Sequence, residues 1–261
     1  MAPPPGGPRW FVRMDRLLEL TSRAERTHFW FRGFRRFVTP WLAEAALHRT
    51  GLRLLDCGCG TGVNLPLLAR HGTAYGFDLT ARGLEFARAR GERRVSRASI
   101  DSMPFPDAAF DVVTSFDVLY ALPDEVEAQA LREMARVLKP GGAALVTVAA
   151  FESLRGGHGA LSQEVRRYTR AMLASRFERA GFHVERTSYT HATLFPLLFA
   201  VRAVQRRRAG RSPEVNEAEI AVPMAPVNAA LTAALTLESW VLPLMDLPFG
   251  SSAIALARKS A

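Results

Sequence analysis

RLLDCGCGTGVNLPLL, residues 53–68, is an apolar run that ends in Asp56 and then sets glycines at 58, 60 and 62. Three glycines at every second position are too many for a helix and too regular for an arbitrary loop. A strand, then glycine-rich backbone, then a helix is the way α/β folds hold a charged or polar ligand at the carboxyl edge of a sheet. Glycine lets the ligand approach the main chain and tolerates positive φ. The helix that follows offers free N–H groups. The nicotinamide fingerprint G-x-G-x-x-G fails here, because position 63 is Val. The phosphate loop fails too, since Val63 stands where a lysine is needed. Asp56 would repel a pyrophosphate but accepts readily from an amine. The stretch therefore predicts a zwitterionic ligand rather than a polyphosphate.

Working outward, LRLLDC reads as a strand buried on both faces. GVNLPLLARHG is helical, AYGFDL a strand, TARGLEFARARG a helix, RRVSRASI a weaker strand and AFDVVTSFDVLY a strong one. DEVEAQALREMARVLKPGG is a helix with Leu131, Met134, Val137 and Leu138 on its apolar face, and AALVTVAAF is a strand again. This alternation with short links means a parallel sheet covered on both faces. Upstream, residues 1–9 are rich in Pro and Gly, and residues 10–50 read as helices with clustered aromatics and a break at Pro40. Downstream, TRAMLASRFERAG is a helix with Thr169 as its cap, FHVERTSYT and SSAIALARK alternate as strands, and about sixty residues of helical character lie between those two.

The chain has 261 residues with 48 % hydrophobic, enough for a full core, and 23 % charged. Its net charge is +9, almost all from arginine, and mostly scattered apart from RRR at 206–208. Cys57 and Cys59 are the only cysteines. Two residues apart they make a poor disulfide, and a C-x-C pair alone makes no metal site, so they read as small residues of a tight turn. The start MAPPPGGPRW has no apolar signal segment, and the longest apolar run, ATLFPLLFAV, is too short to span a bilayer. The expectation is a reduced, cytoplasmic protein, monomer or homodimer, with no metal and no membrane span.

LLDCGCGTG resembles motif I of the class I S-adenosylmethionine-dependent methyltransferases, in the small-molecule branch with a type 11-like domain. The resemblance covers residues 52–150 well. It implies a Rossmann-like, seven-stranded, mostly parallel sheet, with an N-terminal helical lid over residues 1–50, a core at 51–193, a helical insertion capping the substrate at 194–249 between the last two strands, and a last strand at 250–261. It implies S-adenosylmethionine as cofactor, held around Asp56, Gly58, Cys59, Gly60, Thr61, Gly62 and Asn64. Asp78 at the end of YGFDL, with Leu79 beside it, would accept the ribose hydroxyls. ASIDSMPFPDAAFDVV is similar to the family's adenine-facing stretch, but Ser99 stands where the family has an acid. Ile100 would then offer its N–H and Asp101 the missing acceptor. Phe116 and Asp117 in TSFDVLYAL fall where the family lines the back of the cofactor, and Arg32 in the lid would reach its carboxylate.

Methyl transfer is in-line displacement at carbon, so positioning and desolvation dominate and a base is needed only where the acceptor must lose a proton. His158, in a glycine-bearing loop after the fifth strand, is a candidate base or a plain loop histidine. Glu164 and Tyr168 are further catalytic candidates, with Arg167 beside them for substrate; the alternative is a solvated helix start. His28, Trp30, Tyr120 and His191 are candidates for substrate binding. Asn228, Leu231, Leu235, Glu238 and Leu242 share one helical stripe, so Asn228 and Glu238 either meet partners inside the fold or face substrate. The apolar insertion points to a secondary-metabolite or lipid-like acceptor, methylated at O or C.

Two other functions bear on the same features. Methylation of RNA or DNA fits the +9 charge, but SFDVLY replaces the Asn/Asp-Pro-Pro-aromatic run of adenine-amine enzymes, and no nucleic-acid module is visible. A cofactor-binding protein without catalysis gains weight from Ser99 and loses it from the intact Asp56, glycines and Asp78.

Overall fold

The computed structural model describes residues 9–156, 163–208 and 220–260. Two helices come first, α1 (Arg9–Ala24) and α2 (Phe29–Ala45). The alternating core follows as β1 (Leu52–Cys57), α3 (Leu65–Ala69), β2 (Gly72–Asp78), α4 (Ala81–Ala89), β3 (Val95–Arg97), β4 (Phe110–Phe116), α5 (Asp124–Val137) and β5 (Leu138–Ala149). The chain closes with α6 (Arg170–Arg179), β6 (Phe182–Thr190), α7 (Phe195–Arg208), α8 (Ala225–Val241) and β7 (Ser252–Lys259).

The seven strands form one sheet in the order β3-β2-β1-β4-β5-β7-β6. β1 through β5 run parallel, and β7 is antiparallel to both β5 and β6. This is the expected α/β architecture. Its apolar strands explain it: Leu54, Leu55, Val112, Val113, Leu145 and Val146 are all essentially inaccessible, as a sheet covered on both faces requires. The strand order reverses between β1 and β4, and a crevice opens beyond the carboxyl ends of these two strands.

Three local expectations need correction. Pro40 does not break the helix: α2 runs through it to Ala45. Proline removes one donor and crowds the preceding turn, yet the Thr39 hydroxyl donates to the Arg35 carbonyl at 2.6 Å, and buried Phe37, Val38, Trp41 and Leu42 anchor both sides. The break falls at residues 25–28 instead, where His28 caps α2 by accepting from the Trp30 N–H at 3.1 Å. Leu138 does not end the helix α5; it begins β5 opposite Phe110, because Pro140 two residues on forbids further helical pairing. The helix expected over 62–72 is shorter, five residues of α3.

α2 packs against α8, and Gly33 marks the crossing, since a Cβ there would lie 2.5 Å from Leu235 Cδ1. The two N-terminal helices and α7 stand over the same edge of the sheet, above the strand reversal, and α8 packs against α2.

Candidate active site

Beyond the carboxyl edge lies a cavity of about 1070 Å³. The glycine loop forms its floor. Gly58 and Gly60 have φ of +80° and +51°, and a Cβ on Gly58 would lie 2.5 Å from the Val118 side chain. Only glycine gives this loop both its conformation and its clearance. Gly62 does not line the cavity. A Cβ there would lie 2.8 Å from that of Ala87, so this glycine lets the loop settle on α4.

Three carboxylates face the cavity from the ends of neighbouring parallel strands. Asp56, ending β1, is 2 % exposed and receives the Thr114 hydroxyl at 2.7 Å. Burial pushes its pKa up to about 7, opposed by that hydroxyl and reinforced by nearby Asp78. Asp78, ending β2, accepts from Gly60 N (2.8 Å), Thr80 N (2.8 Å) and Thr80 Oγ1 (2.6 Å). A carboxylate offers about four lone-pair sites, so roughly one remains for a ligand. Asp117, just past β4, sits at φ +58°, a left-handed conformation costly for a residue with a Cβ. Burial raises its carboxyl to about 6, against a long contact from the Thr147 hydroxyl at 3.4 Å.

Near Asp117 the cavity wall carries Glu164 and Arg167, joined by two 2.8 Å hydrogen bonds, with Arg167 also donating to the Ala150 carbonyl. The rest of the far wall is largely apolar: Met14, Leu17 and Leu18 of α1, Phe29, Phe31 and Phe34, and Leu198 of α7. The roof is tied down at Glu25. Its carboxylate is buried, takes the Thr61 hydroxyl at 2.7 Å and pairs with Arg90, which also donates to the Thr61 and Ser22 carbonyls.

Residues 55–146 match the model of a family described as a methyltransferase domain. Over 203 residues the chain is 30 % identical to a malonyl-[acyl-carrier protein] O-methyltransferase of Herminiimonas arsenicoxydans, covering 72 % of this chain and 76 % of that one. The chain is a class I S-adenosylmethionine-dependent methyltransferase. It is also 36 % identical over 119 residues to the 27-O-demethylrifamycin SV methyltransferase of Amycolatopsis mediterranei, there covering 40 % of this chain and 41 % of that one. A solved S-adenosylmethionine-dependent methyltransferase from Thermotoga maritima shares the fold at a TM-score of 0.58 and 19 % identity, over 96 % of this chain and all of that one. The methyltransferase uses S-adenosylmethionine as cofactor, and the loop suits it: the main chain is uncovered at Gly60, and two carboxylates flank it for hydroxyl and ammonium donors.

The site expectations divide on this geometry. Asp56, Gly58, Cys59, Gly60, Thr61, Asn64, Asp78, Leu79, Ser99, Ile100, Phe116, Asp117, His28, Trp30, Tyr120, Glu164 and Arg167 all line the cavity of the methyltransferase. Asp101 does not; its carboxylate receives the Ser99 hydroxyl and so meets the cavity only through Ser99. Arg32 does not either. It lies on the outside of α2, along a separate groove with Leu237 and Trp240. Tyr168 is wholly buried, its hydroxyl between Arg166 and the Leu119 carbonyl, and burial raises its pKa above that of an ordinary phenol. It cannot reach a substrate. His191 is buried in a 3.9 Å stack on Trp30, with its pKa lowered to about 3 by burial, behind the cavity wall rather than on it. Asn228 accepts from Phe29 N (2.8 Å) and donates to the Thr27 carbonyl (2.9 Å). Glu238 accepts from Ala192 N, Thr193 N and the Thr193 hydroxyl at 2.7–2.9 Å. Both polar residues of the stripe pin α8 to its neighbours and face no cavity. His28, though on the wall, spends Nδ1 on its helix cap, and burial lowers its pKa. His158 lies outside the described residues. Both cysteine thiols are buried, which raises their pKa values, in keeping with small fillers of the turn.

The sequence reading missed Glu25, Arg90, Thr114 and Arg35, the last lining the cavity and donating to the Glu25 carbonyl at 2.9 Å. Glu25 gives no sequence signal, being one charge in the ordinary run TSRAERT. No group of three or more His, Cys, Asp or Glu among the described residues is arranged to hold a metal. No helix among them is long and apolar enough to cross a membrane.

Proposed function

We propose that the protein methylates an oxygen or an acidic carbon of a lipophilic small molecule, with Asp117 as proton acceptor. Bound S-adenosylmethionine supplies a methyl group activated on a sulfonium. Asp56 takes the ammonium of its amino-acid end, Gly58 and Gly60 give it main-chain clearance, and Asp78 accepts from the ribose. Ser99, held by Asp101, offers its oxygen to the adenine amine, with the Ile100 N–H alongside. That chain of two residues does the work of the acid expected at position 99.

The observation that carries the acceptor class is the contrast within one cavity. At about 1070 Å³ it exceeds the ~300–1,000 Å³ that one small ligand fills. Away from the glycine loop its wall is mostly aromatic and aliphatic. Asp117 stands where that wall begins, with a pKa of about 6, poised to be ionised and basic near neutrality. Glu164 is the weaker candidate, because both its oxygens are engaged by Arg167. Arg167 and Glu164 instead fix the wall, and Tyr120 and Trp30 bound the acceptor space. The curated relatives act on an acyl-carrier-bound malonyl group and on a demethylrifamycin, and both names fit transfer to oxygen.

The test is formation of S-adenosylhomocysteine by the purified protein with a panel of phenols, hydroxylated lipids and polyketide alcohols, read by mass. Product heavier than the acceptor by one methylene on members of this panel supports the reading. Turnover restricted to nucleic acid or to small polar amines overturns it.

A further inference from the structure

The cap formed by α7, α8 and the turns around them presents its apolar side to the outside. Between residues 221 and 249 every exposed residue is apolar or proline except Asp246, which pairs with Arg186. α8 is an inverted amphipathic helix. Its polar residues Asn228, Thr232, Glu238 and Ser239 are buried, while Leu237 and Trp240 are 57 % and 65 % exposed, and Leu244 just beyond it is 85 % exposed. At 100° per residue the two sets fall on opposite arcs. Its single charged residue, Glu238, is spent inside on Ala192 and Thr193. Outside residues 194–249 only Leu47, Leu79 and Val165 are large apolar side chains left exposed among the described residues.

An exposed face made of such side chains calls for an apolar partner. A protein partner would expect about one hydrogen bond per 100–200 Å² of contact. From 221 to 245 the only exposed side chain on this face with a hydrogen-bonding group is Trp240, and the hydroxyls of buried Thr232 and half-buried Thr236 already donate to the carbonyls of Asn228 and Thr232. Hydrocarbon asks for none, and tryptophan is the residue that settles at a membrane–water boundary. The charge fits as well. The groove between α2 and α8 is lined by Arg32, Ala229, Thr232, Ala233, Thr236, Leu237 and Trp240. Arg32 and Arg36, one turn apart and both exposed, make no ion pair among the described residues. The cap's own sequence is balanced, five arginines against five acids over 194–249, so the chain's +9 arises from the rest of the molecule.

We infer that the outer face of the cap docks on an anionic phospholipid surface, with α8 lying along the interface and Arg32 and Arg36 against headgroup phosphates. The inference is independent of which acceptor is methylated.

The full chain is sedimented with vesicles of phosphatidylglycerol mixed with phosphatidylcholine, and with vesicles of phosphatidylcholine alone. The wild type is expected to pellet with the anionic vesicles, less so as salt rises. Leu244→Asp and Trp240→Asp should each weaken binding about tenfold or more. Arg32→Glu combined with Arg36→Glu should abolish the preference for anionic vesicles. Each site is exposed, and calorimetric affinity for S-adenosylmethionine, unchanged in every variant, separates a lost surface from a lost fold or cofactor site. Wild type remaining in the supernatant with both vesicle types overturns the inference. So does a dimer in sedimentation velocity without lipid that Leu244→Asp dissociates, since the face then belongs to a second copy of the chain.

Discussion

Both halves of the molecule bury polar side chains, and they do so in opposite ways. Around the glycine loop, Asp56 holds one strong partner, Thr114, and Asp117 one weak one, Thr147; their carboxyls are raised to about 7 and about 6. In the cap, Asn228 and Glu238 have their bonding satisfied by main chain and threonine, and neither reaches a cavity. A buried polar group is costly unless paired. A group with capacity left over can take a ligand only where it also faces a cavity, as Asp56, Asp78 and Asp117 do. Counting partners separates Asp56 and Asp117 from Asn228, while Asp78 and Glu238, with three donors each, are told apart by the cavity, which Asp78 lines and Glu238 does not.

The largest effect should come from the loop itself. Gly60→Val places a β-branched residue at φ +51° with its Cβ in contact only with the end of the Leu18 side chain, at 3.4 Å. The fold should survive, and calorimetric binding of S-adenosylmethionine should fall more than about a hundredfold, because the uncovered main chain is gone. Gly58→Val meets Val118 as well, so it should cost stability along with binding. Equal losses of binding and unchanged melting in both variants would break the distinction.

Next in size is Asp117→Asn. On the proposed mechanism it should lower kcat by about 10²–10⁴ while cofactor affinity stays as in wild type. The wild-type rate should rise through pH 6, as the carboxyl of pKa about 6 ionises, and the variant should lose that rise. A variant that keeps both kcat and the acid limb would remove Asp117 from the chemistry and return it to a cofactor-lining role.

The half built on the parallel strands was the legible half. Alternating apolar runs gave the strands, and glycines at 58, 60 and 62 after Asp56 located the crevice, since that pattern depends on local backbone requirements. The lid and cap were legible only as a composition. That Asn228 and Glu238 interrupt an apolar stripe was plain. Whether they face a ligand or the Thr27 carbonyl and Thr193 N–H depends on contacts some 200 and 45 residues away in sequence. Pro40 misled for the same reason: local geometry argued for a break, and buried Trp41 and Phe37 outweighed it. Glu25 left no trace because a charge in a polar linker looks the same whether solvated or locked onto Arg90.

A pH titration sharpens the contrast at smaller amplitude. Asp56 and Asp117 have folded-state pKa values raised above 3.8, so the folded chain holds protons that the unfolded chain releases. Their contribution to stability is fully present below about pH 4 and is lost as pH rises through 6 to 7. Asp56→Asn should flatten that fall in melting temperature. With the Asp56 carboxylate required for an ammonium, affinity for S-adenosylmethionine should be about tenfold lower at pH 6 than at pH 8, and the dependence should vanish in Asp56→Asn.

The smallest effect on catalysis should come from the cap's satisfied groups. Asn228→Leu removes the bonds to Phe29 N and the Thr27 carbonyl, and Glu238→Leu strips the acceptors from Ala192 N and Thr193 N. Each leaves main-chain groups unpaired, at a cost of about 1–3 kcal/mol per buried group. Because α8 closes over α2, amide exchange at Phe29, Ala192 and Thr193 should accelerate in both variants. Cofactor affinity should hold, since neither residue touches the cavity, and only the acceptor KM should rise, by a few-fold. Loss of cofactor binding in Asn228→Leu would mean that lid and loop move together, through the Glu25–Arg90 tie, and that the two halves are one cooperative unit.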